Sequence, residues 1–225
     1  MYHGSSFTIN YCTIWLVILK RWLYLSVGLY KNFWVKKAKQ PGTFTYIALG
    51  DSAAQGIGAS SPMRGYVGLI AKNVEQKTGK EVKIINLSST GAKINDVLTK
   101  QLPQIDGLKP DLVTIEIGAN DVSDFNKDQF TNQYIELIKN LPTGTYVGNM
   151  PYFGTRKNTQ KNALIANKII AEELSKRPDL HLVDLQSITK EKHSLFGYAP
   201  DGFHPNNLSY KNWAEAFWEQ INNNL

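Results

Sequence analysis

Past Pro41-Gly42 the chain alternates strand-like and helix-like patterns, and this alternation limits the possible folds more than any other feature. Strand patterns fall at 44–49, Val82 to Asn86, Leu112 to Ile117, Tyr146 to Asn149 and Leu180 to Leu185. Helical patterns separate them: Tyr66 to Lys77 ending at Gly79, Ile94 to Gln101 stopped by Pro103, Asp128 to Asn140 stopped by Pro142, and Lys157 to Lys176 stopped by Pro178. A last helical pattern, Leu208 to Asn222, carries Trp213, Ala214, Phe217 and Ile221 as its apolar stripe. Strand, helix, strand in repetition predicts an α/β protein with a mostly parallel sheet covered on both faces. The 225 residues suffice for one substantial core, residues 41–225, preceded by a segment of different character, residues 1–40.

The charge is unevenly spread. Residues 1–40 hold Lys20, Arg21, Lys31, Lys36, Lys37 and Lys39 and no acidic residue. Setting those six apart from the 25 basic residues leaves 19, against 19 acidic ones, so residues 41–225 are formally neutral. Without a basic patch interleaved with aromatics, nucleic-acid binding is not expected. The only cysteine, Cys12, excludes an intramolecular disulfide, and no histidine pair has local zinc-ligand spacing, so no metal and no cofactor are expected.

Residues 9–39 read as a membrane-directed stretch. The apolar runs Ile14 to Leu19 and Trp22 to Tyr30 are interrupted by Lys20-Arg21, so neither reaches the roughly 20 residues of a span. On a helical projection Lys20, Arg21, Tyr24, Gly28, Lys31 and Asn32 share one arc, with Trp22, Leu25, Leu29 and Phe33 opposite. A basic face against a Trp/Leu face fits a helix lying in the headgroup region of anionic lipid. Three readings stay open: that interfacial helix, a tilted span with snorkelling Lys20 and Arg21, and a cleaved export signal or misplaced start. A span would hold residues 41–225 on the cytoplasmic side through Lys31 to Lys39. Met1 to Asn10 lacks the basic n-region of a signal peptide, which disfavours export.

The chemistry-bearing residues cluster in a few blocks. Gly50-Asp51-Ser52 ends the first strand pattern and opens a Gly- and Ala-rich turn, where open α/β sheets place their ligands. Some 150 residues later come Asp201-Gly202-Phe203-His204 and Pro205. A serine hydroxyl is a weak nucleophile that needs a base within hydrogen-bond reach, and the base needs a carboxylate to fix its tautomer. Asp201 and His204, three residues apart, can both come from one loop. Each residue also has an ordinary structural role: Ser52 as a helix cap, Gly91 at a positive φ, Asn120-Asp121 and Asp201-Gly202 as turns, His204 on the surface. All these roles would have to hold at once. His181 lies in a strand-like run, His193 follows the charged Lys190-Glu191-Lys192, and His3 sits in a polar tip; none stands three residues after an aspartate.

Four blocks in order, Gly50-Asp51-Ser52, Ser88-Ser89-Thr90-Gly91-Ala92, Gly118-Ala119-Asn120-Asp121 and Asp201-Gly202-Phe203-His204, make residues 43–225 resemble the SGNH or GDSL-type serine esterases and lipases. The resemblance implies a three-layer flavodoxin-like sandwich around a five-stranded sheet. It implies Ser52 as nucleophile, His204 as general base and acid, and Asp201 as the orienting carboxylate. It also implies oxyanion donors at the Ser52 amide, the Gly91 amide and the Asn120 side chain. Such preorganised neutral donors each contribute about 3 to 4 kcal/mol to acyl transfer. The implied substrate is a small-molecule ester or a lipid, with acyl transfer, sugar deacetylation and a non-catalytic membrane-bound binding module as the alternatives. Tyr152 and Phe153, after the fourth strand pattern, are candidates to wall the pocket, and Asp121 is read as a tether rather than a catalytic acid.

Overall fold

The computed structural model describes residues 25–154 and 156–225. Five strands, β1 (Phe44–Gly50), β2 (Val82–Asn86), β3 (Leu112–Glu116), β4 (Tyr146–Gly148) and β5 (His181–Val183), form one sheet in the order β2-β1-β3-β4-β5. Every strand pair is parallel. β1 lies inside the sheet, between β2 and β3, and is buried along nearly its whole length, as expected of a parallel strand covered on both faces.

Alternation along the strands divides the core into two layers. Tyr46 and Ala48 of β1, Ile84 of β2 and Leu112 of β3 face one side. There they meet α3 (Tyr66–Thr78) and α9 (Asn207–Ile221), with Tyr66 stacked on Phe217 at 5.1 Å. Ile47, Leu49, Val113, Ile115 and Val147 face the other side. They pack against α6 (Lys127–Asn140) and α7 (Lys157–Ser175). This is the three-layer α/β sandwich expected.

Three short helices go beyond the sequence reading. Ser52–Gln55, expected as a turn, forms α2, capped by Asp51, whose carboxylate accepts from the Ala53 amide at 2.9 Å. Ala119–Ser123 forms α5. The run read as one strand to Leu185 stops at Val183, because Asp184 caps α8 (Leu185–Glu191) by accepting from the Ser187 amide at 3.1 Å. The expected helix from Ile94 to Gln101 starts as α4 (Ile94–Asp96) and widens to a π-type turn over Val97–Gln101. That turn aims Gln101 at β1, where its side chain exchanges two hydrogen bonds with the Gly50 backbone, at 2.9 and 2.8 Å.

Residues 25–37 form a helix, α1. Its buried stripe is Ser26, Tyr30 and Trp34, not the Leu25, Leu29 and Phe33 arc of the helical projection. The reason is polar as well as apolar: Tyr30 donates its hydroxyl to the Ala59 carbonyl at 2.7 Å, and Trp34 its indole N–H to the Gln55 carbonyl at 3.0 Å. Leu25 and Leu29 are left exposed. Among the described residues no helix is long and apolar enough to cross a membrane. The readings made for Ile14 to Leu19, Lys20, Arg21 and Trp22 fall outside the described residues.

Candidate active site

The site sits where β1 and β3 release the chain at their carboxyl ends. Since β2 lies to one side of β1 and β3 to the other, this edge is the switch point where such sheets open a crevice. Gly50 makes the sharp exit possible: its φ is 138°, and a side chain there would strike the Glu116 carbonyl. Asp51 takes the capping role, so Ser52 becomes the first helical residue and its hydroxyl is free for other work.

That hydroxyl meets the late loop. Ser52 Oγ lies 3.0 Å from His204 Nε2, and His204 Nδ1 lies 2.6 Å from Asp201 Oδ2. Asp201 Oδ1 accepts the backbone amides of Phe203 and His204 at 2.8 and 3.0 Å. Burial would raise the Asp201 pKa, but these bonds and the one to His204 outweigh it and hold the carboxyl below the ordinary range. An ionised Asp201 accepts only, which fixes the proton on Nδ1 and leaves Nε2 to accept from the serine. The loop is braced by a bridge between Tyr198 and Pro205 and by Arg156, which donates to the Gly202 carbonyl at 2.6 Å and lies 4.4 Å from the Phe203 ring centre.

The three expected oxyanion donors come from segments that meet at one junction. Asn120 Nδ2 donates to the Ala92 carbonyl at 2.9 Å and to Asp51 Oδ2 at 3.2 Å, so the residue after Gly91 and the residue before Ser52 are both tied to Asn120. Gly91 takes a φ of 79° with open space around its Cα; the glycine is needed for its left-handed conformation. The Ser52 and Gly91 amides make no hydrogen bond to the described residues, whereas both protons of the Asn120 amide have partners. Asn120 therefore serves a developing charge only by exchanging one of them, and the longer bond, to Asp51, is the weaker. Burial, opposed by the Ala53 amide and His204 and aided by Asp121, pushes Asp51 up to about 6.

Gln55 supports this junction from below. Its Oε1 accepts from the Thr90 amide at 3.1 Å and its Nε2 donates to the Ser88 carbonyl at 3.2 Å, shaping the loop before Gly91. Asp121 accepts from the Ile94 amide at 3.3 Å, a tethering bond.

Beside Ser52 and His204 opens a cavity of about 60 Å³ walled by Tyr152, Phe153, His193, Tyr198, Phe203 and Trp213. Tyr152 and Phe153 thus stand where the sequence suggested. His193, read as a surface residue, is exposed but belongs to the wall, its ring edge-on to Tyr152 at 5.2 Å. Glu116 also lines the cavity and was not anticipated. It is fully buried, neither carboxyl oxygen has a hydrogen-bond partner among the described residues, and burial next to Asp51 raises its pKa well above the ordinary value. Its one sequence signal is an acid inside the apolar strand Leu112-Val113-Thr114-Ile115-Glu116. Among the described residues no group of three or more His, Cys, Asp or Glu is arranged to hold a metal ion.

The chain matches no curated protein. Its fold is similar to that of LAE5, an alpha/beta hydrolase enzyme from the metagenome of Lake Arreo, Spain, at 19% identity and a TM-score of 0.65, covering 80% of this chain and 95% of that one. It is similar to the lipase Lip_vut3 from a goat rumen metagenome at 22% identity and a TM-score of 0.61, covering 79% and 97%. It is also similar to a variant of Axe2, an acetyl xylan esterase from Geobacillus stearothermophilus, at 19% identity and a TM-score of 0.66, covering 80% and 94%. The family model for GDSL-like lipases and acylhydrolases matches residues 48–211, from just before Gly50 to just beyond His204. With that match spanning most of the chain, this protein belongs to the GDSL-like lipase/acylhydrolase family.

Proposed function

We propose that this ester-hydrolysing enzyme works through an acyl-enzyme on Ser52, with His204 as base and acid and Asp201 as its orienting carboxylate. The observation that carries the reading is the continuous pair of hydrogen bonds from Ser52 Oγ to His204 Nε2 and from His204 Nδ1 to Asp201. As Ser52 Oγ bonds to the ester carbonyl carbon, its proton passes to Nε2. The amides of Ser52 and Gly91 and the Asn120 side chain receive the negative charge on the carbonyl oxygen. The bond from carbon to the alkoxy oxygen then breaks, and His204 returns the proton to the departing alcohol. A water repeats the sequence from the other side: it gives its proton to His204, bonds to the acyl carbon and releases the acid, while Ser52 regains its hydrogen.

The cavity favours a short acyl group. Its enclosed space of about 60 Å³ with aromatic walls suits a small acyl group. A long chain would have to leave through the mouth. The fold similarity to an acetyl xylan esterase is in keeping with a small acyl group, and the similarity to a lipase keeps lipid esters in the field. Acyl transfer to an alcohol uses the same site and is the second reading.

Residues 1–40 are proposed as the membrane-directed segment and 41–225 as the hydrolase domain, with α1 as the joint between them. The basic and apolar character of residues 9–39 supports membrane association; a spanning segment would put the domain on the cytoplasmic side, and an interfacial helix leaves the side open. The test is hydrolysis of p-nitrophenyl esters from acetate to a long-chain acyl group by the full chain and by Ser52→Ala. The expected result is activity highest on the short esters and abolished by the substitution. Equal, low rates in two folded proteins would contradict it.

A further inference from the structure

The four most exposed large apolar side chains among the described residues are Phe196 (87%), Leu195 (75%), Leu29 (66%) and Leu25 (64%). They come from two elements only: the 3-10 turn Leu195–Gly197 and the start of α1. The turn is not loose. Ser194 Oγ accepts from the Phe196 amide at 3.2 Å, Asn206 Nδ2 donates to the Phe196 carbonyl at 2.6 Å, and Ser209 Oγ and the Asn206 amide both donate to the Gly197 carbonyl, at 2.7 and 2.9 Å. A pinned backbone thus holds Leu195 and Phe196 out in water, directly between Ser194 and Tyr198, two residues of the cavity wall.

The two elements border one loop. Val27 and Tyr30 of α1 pack on Ile57 and on Ala199, which begins the stretch that carries Asp201 and His204. Tyr30 holds the Ala59 carbonyl, and the neighbouring Ser60 exchanges hydrogen bonds with Asn207 at 2.9 and 3.0 Å. Next to Asn207 stands Leu208, itself about half exposed. Leu29, Leu208 and Phe196 thus each adjoin residues packed or hydrogen-bonded along one stretch, from α1 to the loop of Asp201 and His204. The described chain begins at Leu25, and the residues before it are the apolar Ile14 to Leu19 and Trp22 to Tyr24 around Lys20 and Arg21. Residues 1–40 carry six positive charges and no negative one, while Lys192 and Lys211 near the turn are both paired with Glu215.

We propose that Leu195 and Phe196, with Leu208 and the exposed leucines of α1, insert into an anionic lipid surface and seat the mouth of the site on it. Basic charge on the N-terminal side supplies attraction, and an uncharged apolar turn supplies penetration. An ester presented by a membrane would then reach Ser52 without crossing bulk water. Only this last step rests on the ester-hydrolase reading; the docking does not.

The test uses the full chain with Cys12→Ser and Phe196→Cys carrying an environment-sensitive fluorophore. It is mixed with vesicles of phosphatidylcholine containing about one-third phosphatidylglycerol, a composition of strongly negative surface potential. The expected result is co-sedimentation with a blue-shifted, brighter probe. A chain that sediments while the probe stays water-like, or one that does not sediment, overturns the proposal. A blue shift that appears without lipid as protein concentration rises points to a second copy on this face and also overturns it. In parallel, Leu195→Asp with Phe196→Asp should lower the rate on a vesicle-borne ester by about tenfold and leave a water-soluble short ester unaffected. Equal losses on both substrates contradict the proposal, whereas no activity in either protein refutes the hydrolase reading and leaves the probe result to decide on docking.

Discussion

Replacing Glu116 by glutamine should change how stability depends on pH. The carboxyl is fully buried, has no hydrogen-bond partner among the described residues and lies beside Asp51. Its folded pKa is therefore raised far above the unfolded value of 4.5, by burial first and Asp51 second. A raised pKa means the folded state keeps a proton that the unfolded state has lost. The contribution is fully present below pH 4.5 and drains away as pH rises towards the folded pKa. One proton corresponds to about 1.4 kcal/mol per pH unit in that window. For a chain of this size each kcal/mol moves Tm by about 2 to 4 °C, so wild type should fall behind Glu116→Gln by about 3 to 6 °C per pH unit above 4.5. Asp51, raised to about 6, and Asp121, raised mainly by burial, add slope to both proteins and cancel in the comparison. Thermal unfolding of the two proteins in matched buffers from pH 4.5 to 8 measures this. Parallel Tm curves would show that Glu116 ionises in the folded state much as it does in water, and the reasoning would fail.

Three further substitutions probe the site and its supports. Asn120→Ala should lower kcat by about a hundredfold or more, the usual loss for one oxyanion donor, measured on a soluble ester; an unchanged kcat would leave Asn120 as the tie between Asp51 and Ala92 only. Asp201→Asn can still accept the Phe203 and His204 amides but no longer fixes the imidazole tautomer, so the rate should fall by about ten-thousandfold with Tm nearly unchanged; a loss under tenfold would argue against the orienting role. Trp34→Phe leaves the buried Gln55 carbonyl without its indole donor, a cost of about 1 to 3 kcal/mol, visible as a lowered urea midpoint; an unchanged midpoint would mean that α1 is held by apolar contact alone.

What could be read from the sequence depended on how local the cause was. Phe44 to Leu49 is apolar on both faces, and Pro142 and Gly79 end their helices by backbone chemistry, so these elements came out nearly to the residue. Leu180 to Leu185 alternates like a strand, but the decisive residue, Asp184, acts through a cap on Ser187 and a 2.9 Å bond from Asn149, thirty-five residues earlier in the chain. The meeting of Ser52 with Asp201 and His204 could be expected because two short blocks, 50–52 and 201–204, carry the three residues. The part of His193 in the wall could not, because its neighbours Lys190 to Lys192 signal solvent while its partner there is Tyr152, forty-one residues earlier in the chain. Glu116 reads as a strand residue until the sheet brings it under Asp51. The two partners of the Asn120 amide are likewise products of the assembled junction; the motif names the residue but not the state of its protons.

The central claim is a nucleophilic Ser52 activated by His204 and Asp201. The most direct measurement is the intact mass of the full chain after brief exposure to a fluorophosphonate, which reacts only with an activated serine, followed by peptide mapping. The account predicts a single adduct, on Ser52, formed at least a hundredfold more slowly in His204→Ala and absent in Ser52→Ala. An adduct elsewhere, or none on a folded protein, would contradict it.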